Sequence, residues 1–90
     1  MDSAAFLIEL TLVPAGRHLA FSKQLLTKVH VYRRVEGQTD SWQQVATNAR
    51  SPYLDMEAFP PGTTLEYHVQ HFSQQDQYQG HSHLVRTTVQ

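Results

Sequence analysis

The strongest indication of the fold comes from the stretch between Phe59 and Phe72, which reads F-P-P-G-T-T-L-E-Y-H-V-Q-H-F. In its first half two prolines fix the backbone φ and Gly62 lets the chain reverse direction, which predicts a tight turn. In its second half apolar and polar residues alternate, which is the period of a strand with one buried face. One face holds Leu65, Tyr67 and Val69, and the other holds Glu66, His68 and Gln70. A turn that feeds a long central strand is typical of a β-sandwich, where the chain crosses between two sheets.

The size and charge of the chain exclude several roles. Ninety residues make a single domain over 1–90, with a thin core and no cysteine to reinforce it. A formal net charge of −1 gives no basic field to hold a nucleic acid or an anionic membrane. Met1–Val13 lacks the pattern of a secretory leader, and the apolar runs are too short to span a bilayer. We therefore expect neither nucleic-acid binding nor membrane insertion.

Short apolar segments bounded by turn residues lie on both sides of this stretch. Ala5–Val13 alternates as a strand; a helix start after Asp2 or Ser3 also fits its composition, but the turn at 14–16 favours the strand. The other predicted strands are Arg17–Lys23, Leu25–Val35, Ser41–Thr47, Tyr53–Met56, the strand after Gly62 and His81–Val89, with a polar loop at 36–40, a turn at Asn48–Pro52 and a polar hairpin tip at Ser73–Gly80. This spacing predicts an all-β fold, a seven-stranded antiparallel Greek-key β-sandwich.

Several motifs fall in one order along most of the chain. They are V-H-V-Y-R-R at 29–34, S-W-Q-Q-V-A at 41–46, S-P-Y-L-D at 51–55 and P-P-G-T-T-L-E-Y-H-V at 60–69. In this order and at these distances they resemble the third, fourth and later strands of the fibronectin type III family, which is immunoglobulin-like. The resemblance implies a module of a larger multidomain protein, and it favours an extracellular or cell-surface location.

Two positions depart from the family pattern. Phe21 stands where the family usually has tryptophan on the second strand. The corner tyrosine of the family, whose hydroxyl ties the turn to the backbone, aligns with Leu65 rather than Tyr67. Either the corner is held without that hydrogen bond, or the strand begins two residues later and Tyr67 takes the role.

Six histidines raise the question of a metal site. His81 and His83 are two apart in one predicted strand and share a face, whereas His68 and His71 point to opposite sides. His30 and His68 make a better pair, because the resemblance implies that their strands are neighbours and both face outward. Two imidazoles fall short of a structural zinc site, so we predict no metal and no cofactor. A pH response is the milder hypothesis, against which His71 is simply a partly buried core residue.

Aromatic residues on outward positions are the candidate binding residues. Tyr32 and Phe72 lie on the outward parity of their strands, Trp42 on a predicted edge strand and Tyr78 in the hairpin tip. Aromatic groups with polar neighbours suit protein contacts, and a flat ring also suits a sugar. For Trp42, folding over the sheet edge is the competing interpretation. The predicted surface joins these residues with two histidines, and its members are Tyr32, Trp42, His30, His68, Phe72 and Tyr78.

Catalysis has no support in the sequence. The chain has no nucleophile in a G-x-S-x-G elbow and no matched acid–base pair, and Asp55 fits the cap of a turn. We therefore predict a non-catalytic interaction or spacer module whose partner is a protein or a neighbouring domain of the same parent chain. The alternative is an accessory domain that binds polysaccharide through Trp42 and Tyr78.

Overall fold

The chain pairs its strands into two antiparallel sheets in the computed structural model, which describes residues 6–23, 26–37 and 41–90. Within those ranges it is all-β, with eight strands and no helix. The strands are β1 (Ile8–Val13), β2 (Gly16–Phe21), β3 (Thr27–Val35), β4 (Gln43–Ala46), β5 (Tyr53–Asp55), β6 (Thr64–Ser73), β7 (Tyr78–His81) and β8 (Val85–Thr88). Ile8–Val13 is a strand, as the alternation predicted, whereas Asp2, Ser3, Leu25 and the loop positions 38–40 lie outside the described residues.

The two sheets face each other in a β-sandwich-like arrangement. The smaller sheet has the order β1-β2-β5, and the larger has the order β4-β3-β6-β7, with β8 pairing farther along β6. The longest strand, β6, pairs with β3 over nine residue pairs from Thr27↔Ser73 to Val35↔Leu65. This central ladder therefore fixes which side chains of β3 and β6 lie side by side on each face.

The core lies between the sheets and is built from every second residue of the central strands. On β2 the alternation buries Leu19 and Phe21, and on β3 it buries Val29 and Val31, as predicted. The full set of buried apolar residues is Ile8, Leu19, Phe21, Val29, Val31, Ala49, Leu65, Tyr67 and Val69. Since an apolar side chain gains about 1.5–3 kcal/mol from full burial, these positions supply most of the driving force for folding.

The prediction of seven strands was wrong, because the closing strand is split in two. Tyr78–His81 belongs to a strand rather than to the hairpin tip, and the chain leaves the sheet at 82–84 before β8 begins. At the break, the backbone N–H of Ser82 donates to the carbonyl of Val69 and its Oγ accepts from the N–H of Val69, both at 3.0 Å. The side chain of Ser82 thus takes a place in the ladder that a backbone carbonyl would otherwise fill.

The corner at 60–63 is held without a tyrosine hydroxyl. Both the backbone N–H and the hydroxyl of Thr63 donate to the carbonyl of Pro60, at 3.2 and 2.7 Å. Gly62, at a φ of +91°, donates to the carbonyl of Val89 at 2.8 Å and so ties the corner to the end of the chain. Tyr67 is fully buried and its hydroxyl serves a different purpose, described below.

Strand β6 is buried on both faces, where the sequence predicted burial on one. Leu65, Tyr67 and Val69 are 0% exposed on the inner face, but Glu66 and His68 on the outer face are only 3% and 7% exposed. The second layer that covers them is made of side chains from the neighbouring strands. That layer is the candidate site.

Candidate functional site

Seven aromatic and imidazole side chains lie together on the outer face of the larger sheet. We call them the ring surface: His30, Tyr32, Trp42, His68, Phe72, Tyr78 and His81. They come from β3, β6, β7 and the residue before β4, so four separate segments contribute to one layer. All six residues of the predicted surface are members, and His81 is the member that the prediction omitted.

The register of the central ladder places the rings against one another. Tyr32 lies opposite His68, and their rings stack at 5.1 Å between centroids with 11° between their planes. On the far side of β6, Phe72 pairs with Tyr78 across a bulge, and their rings meet edge to face at 5.8 Å. Such pairs contribute about 0.5–1.5 kcal/mol beyond the burial of their area, so the layer stabilises the outer face.

Trp42 folds over this layer from the edge of the sheet. It precedes β4, is half-buried, and presents its ring to His68 in a T-shaped contact at 4.4 Å. The guanidinium of Arg34 lies 4.5 Å from the centre of the indole. The competing interpretation of Trp42 as an extension of the packing therefore agrees with its contacts, and the exposed part of the ring remains open.

An ion-pair network that the sequence did not predict lies beneath this tryptophan. Glu66 is buried and accepts hydrogen bonds from Arg34 at 2.9 and 2.6 Å and from Arg86 at 3.3 and 2.8 Å. Hydrogen bonds from Arg86 and then from Arg34 hold the pKa of the Glu66 carboxyl below its ordinary value. The carboxylate is buried at 4% exposure, whereas the side chains of Arg34 and Arg86 are 27% and 61% exposed.

His68 is a neutral imidazole at the centre of the ring surface. Burial, with smaller contributions from His81 and Arg34, lowers the pKa of His68 to about 4. Its Nε2 lies 3.2 Å from the side-chain nitrogen of Gln70, whereas its Nδ1 has no hydrogen-bond partner among the described residues. An unpaired buried nitrogen costs about 1–3 kcal/mol, so the packing of the surrounding rings has to offset it.

The second half of the ring surface is more open. The ring of His30 contacts Phe72 at 4.8 Å, and its Nδ1 accepts from the backbone N–H of Asn48 at 3.0 Å. Tyr78 is 56% exposed, and its hydroxyl lies 2.6 Å from Nδ1 of His81. The exposed ring of Tyr78 thus projects from a layer whose other members are fixed by contacts.

The histidines that the sequence analysis paired lie in different surroundings. Within the described part of the chain, no group of three or more histidine or acidic residues is placed to hold an ion. His81 and His83 do not share a face, because β7 ends at His81; they line different clefts. His30 and His68 both face outward, but each packs against a different aromatic ring.

A cleft of about 430 Å³ opens in the middle of the ring surface. Its floor is formed by His68 and Gln70 on β6, and Trp42 with Arg34 lies on the β3 side. Beyond β7, the break in the closing strand places Leu84 on the opposite side, where it is 51% exposed. Leu84 directly precedes β8, in which Val85 pairs with Tyr67, so the register of β8 brings Leu84 beside His68 on the outer face.

A second polar group lies between the sheets, and we call it the interior charge cluster: Arg17, Arg33, Asp55 and Tyr67. The Tyr67 hydroxyl donates to Asp55 Oδ2 at 2.5 Å and accepts from Arg17 Nε at 2.8 Å, while Arg33 Nη1 donates to the same carboxylate oxygen at 2.9 Å. Both guanidiniums also face the ring of Phe59, at 5.5 and 4.9 Å. Asp55 Oδ1 accepts from the backbone N–H of Glu57 at 3.2 Å, which is the turn-capping contact that the sequence predicted.

The pKa values of this cluster follow from its geometry. Burial by itself raises the pKa of Asp55, but hydrogen bonds from Tyr67 and Arg33 outweigh burial and hold that pKa below its ordinary value. Burial and the neighbouring carboxylate raise the pKa of Tyr67 far above its ordinary value. The carboxylate therefore stays charged and the phenol stays neutral. Fixed charge states of this kind are typical of groups that stabilise the fold and not of a pair that exchanges a proton.

Comparisons with protein-family models, with curated proteins and with solved structures found no match. Across the described residues, none of the elements is a helix with the length and hydropathy to cross a lipid bilayer. The geometry of the ring surface and of the cluster is therefore what an assignment of function has to rest on.

Proposed function

We propose that this chain is a fibronectin type III-like Greek-key sandwich that acts as a non-catalytic protein-interaction module through its ring surface. The observation that carries the proposal is the ring surface itself, in which four separate segments bring aromatic and imidazole side chains onto one sheet face. Interfaces between proteins are enriched in aromatic residues and arginine with a polar rim, and this face combines Tyr32, Trp42, Tyr78 and Arg34.

The order of the strands supports the fold assignment. Consecutive pairs alternate between the sheets: β1 and β2 lie in the smaller sheet, β3 and β4 in the larger, β5 returns to the smaller, and the rest lie in the larger. Crossings of this kind are typical of Greek-key sandwiches, a class that includes fibronectin type III domains. The motifs at 29–34 and 60–69 fall on β3 and on the corner into β6.

Binding of a polysaccharide is the rival function. A sugar ring stacks on an open, flat aromatic face, and Tyr78 at 56% exposure has such a face. Trp42, the other residue of that hypothesis, is covered on one side by Arg34 and presents its ring to His68. These contacts weigh against a sugar platform at Trp42 and favour a protein partner.

Selection from a phage-displayed random-peptide library, with the ninety-residue chain immobilised, tests the proposal. We expect enriched peptides whose binding is lost in the double variant Tyr32→Ser, Tyr78→Ser. The matched control is Glu9→Ser, His18→Ser on β1 and β2 of the smaller sheet, which should bind as the parent does.

The outcomes separate the functions. No enriched peptide, or peptides indifferent to the double variant, overturns the ring surface as a protein-binding face and leaves a spacer role. If no peptide is enriched and a soluble polysaccharide changes the fluorescence of Trp42, polysaccharide binding is the function supported. Amide spectra of each variant verify that its fold is intact, so loss of binding cannot be confused with unfolding.

A further inference from the structure

The cleft in the ring surface differs chemically from the rest of that face. Its lining residues are Arg34, Trp42, His68, Gln70, His81 and Leu84. Arg34 supplies a positive charge, and among the described residues that line the cleft none carries a carboxylate, although Arg34 donates to the buried Glu66 at 2.6 Å. The walls at Trp42 and Leu84 are apolar, and the floor carries an amide and an imidazole.

At this site the negative charge lies deeper in the protein than the two positive charges. Glu66 is buried, while the two arginines that share it lie toward solvent. Arg86 also pairs with Glu36 at 3.2 Å, but that carboxylate lies at the rim and is 48% exposed. Because the Arg34 side chain is 27% exposed and Glu66 only 4%, a ligand in the cleft can contact the guanidinium and not the carboxylate, which favours a carboxylate ligand over an ammonium.

The apolar walls stand on opposite sides of β6. Trp42 comes from the β4 side of the sheet and Leu84 from the break between β7 and β8. Between them lies His68, which burial keeps uncharged at neutral pH. An aliphatic side chain placed between these walls would bury apolar area on both sides, which favours binding.

From this geometry we propose that the cleft binds a short acidic peptide segment in which a carboxylate pairs with Arg34 and an adjacent aliphatic side chain packs between Trp42 and Leu84. The inference rests on the proposed function, because it names the chemistry of the partner at the same surface. The amide of Gln70 and the imidazole of His81 are placed to hydrogen-bond the backbone of such a segment.

The probe is the acetylated and amidated tripeptide leucyl-aspartyl-leucine, added to the ¹⁵N-labelled chain up to about 5 mM, since so few contacts give affinities near the millimolar range. We expect shifts at the Trp42 indole N–H and at the amides of Gln70 and Leu84. The matched peptide leucyl-asparaginyl-leucine should bind about tenfold more weakly, and added salt should narrow that difference.

Two variants test the roles of the side chains. Arg34→Gln should abolish the preference for aspartate over asparagine, whereas Arg50→Gln, at an exposed arginine outside the cleft, should not. Leu84→Ala should weaken both peptides, whereas Leu12→Ala should leave binding unchanged; these leucines are 51% and 53% exposed, so neither change threatens the fold.

Equal binding of the two peptides overturns the acidic ligand, and shifts that map outside the cleft overturn the site. If library peptides depend on Tyr32 and Tyr78 while aspartate gives no advantage, the inference fails and the proposed function stands. If the library yields no peptide that depends on the ring surface and the tripeptide gives no shift, both fail. A preference for the aspartate peptide that Arg34→Gln removes supports the inference.

Discussion

The interior charge cluster and the ring surface both cover polar side chains, and they differ in how fully those side chains are paired. Between the sheets, Asp55 is bound by two arginines and by Tyr67. On the outer face, His68 keeps an unpaired Nδ1. Complete pairing stabilises a single arrangement, whereas a partly open layer with an exposed ring leaves contacts for a partner.

Asp55→Ala should destabilise the interior charge cluster more than the other substitutions proposed below. Because Arg17 and Arg33 are 7% and 4% exposed, the substitution leaves the buried Arg17 without its carboxylate and the buried Arg33 with only the exposed Glu57, at 2.9 Å. We expect the free energy of unfolding to fall by about 3–5 kcal/mol, a large part of the stability of a small domain. Urea denaturation followed by the fluorescence of Trp42 measures the loss.

The control for this change is Asp76→Asn. Asp76 pairs with Lys28 at 2.9 Å, but its side chain is 70% exposed, so its ion pair is worth little. We expect no measurable change in the free energy of unfolding. If Asp55→Ala costs no more than this control, the cluster contributes no net stability, and the comparison between the two regions loses its basis.

As the pH falls, the ring surface should lose its contribution to stability before the interior charge cluster does. The pKa of His68 is about 4 in the folded chain, below the ordinary value of 6.5, so the unfolded chain binds the proton first as the pH falls. The stability from the neutral imidazole is present above pH 6.5 and is lost between 6.5 and about 4, a fall of about 3 kcal/mol. The carboxylates of Asp55 and Glu66, whose pKa values are lowered, lose their contribution only at lower pH.

His68→Phe tests this order, because phenylalanine keeps a ring for Tyr32 and Trp42 without a proton to bind. Urea denaturation between pH 7 and about 4.5 should show a smaller loss of stability in the variant. His71 adds to the remaining loss, since burial lowers its pKa as well. Tyr32→Phe keeps the imidazole and should retain the parent's pH dependence; identical curves for the parent and His68→Phe would refute the assignment.

Tyr67→Phe tests how much the hydrogen bonds of the Tyr67 hydroxyl contribute to the interior charge cluster. The phenol hydroxyl joins Asp55 to Arg17, so its removal leaves each of them with one hydrogen bond fewer. We expect a loss of about 1–2 kcal/mol, measured by thermal or urea unfolding. Tyr53→Phe is the matched control, since that hydroxyl makes a long contact of 3.4 Å to the carbonyl of Val45. Equal losses would mean that the bridge adds nothing.

Strand parity was enough to predict where the rings lie. Once Val31 and Val69 point inward, Tyr32 and His68 must point outward, and the pairing of their strands then brings the two rings together. Parity also carried a sign of the cluster, because Arg17 shares the face of Leu19. The sequence alone did not predict the cluster, because a charged residue on an apolar face needs partners, and those partners lie on other strands.

The partners and the cleft depend on contacts between residues far apart in the sequence. Asp55 meets Arg33 and Tyr67 only after β3, β5 and β6 have been placed in two sheets. Ser82 takes both backbone hydrogen bonds of Val69 and interrupts the last strand, and the register of β8 then brings Leu84 beside His68. A single serine in a run that otherwise reads as a strand gives no local signal of that interruption.

Tyr78→Ser should have the smallest effect on stability and a full effect on binding, which separates the two regions most directly. The side chain is 56% exposed and contacts Phe72 and His81 at the open end of the ring surface, so we expect the free energy of unfolding to fall by only about 0.5–1 kcal/mol. Amide shifts should stay within β6 and β7, while peptides selected on the parent chain lose affinity. A loss of stability as large as that of Tyr67→Phe would show that Tyr78 is part of the packing, and the ring surface would then be a structural layer like the interior charge cluster.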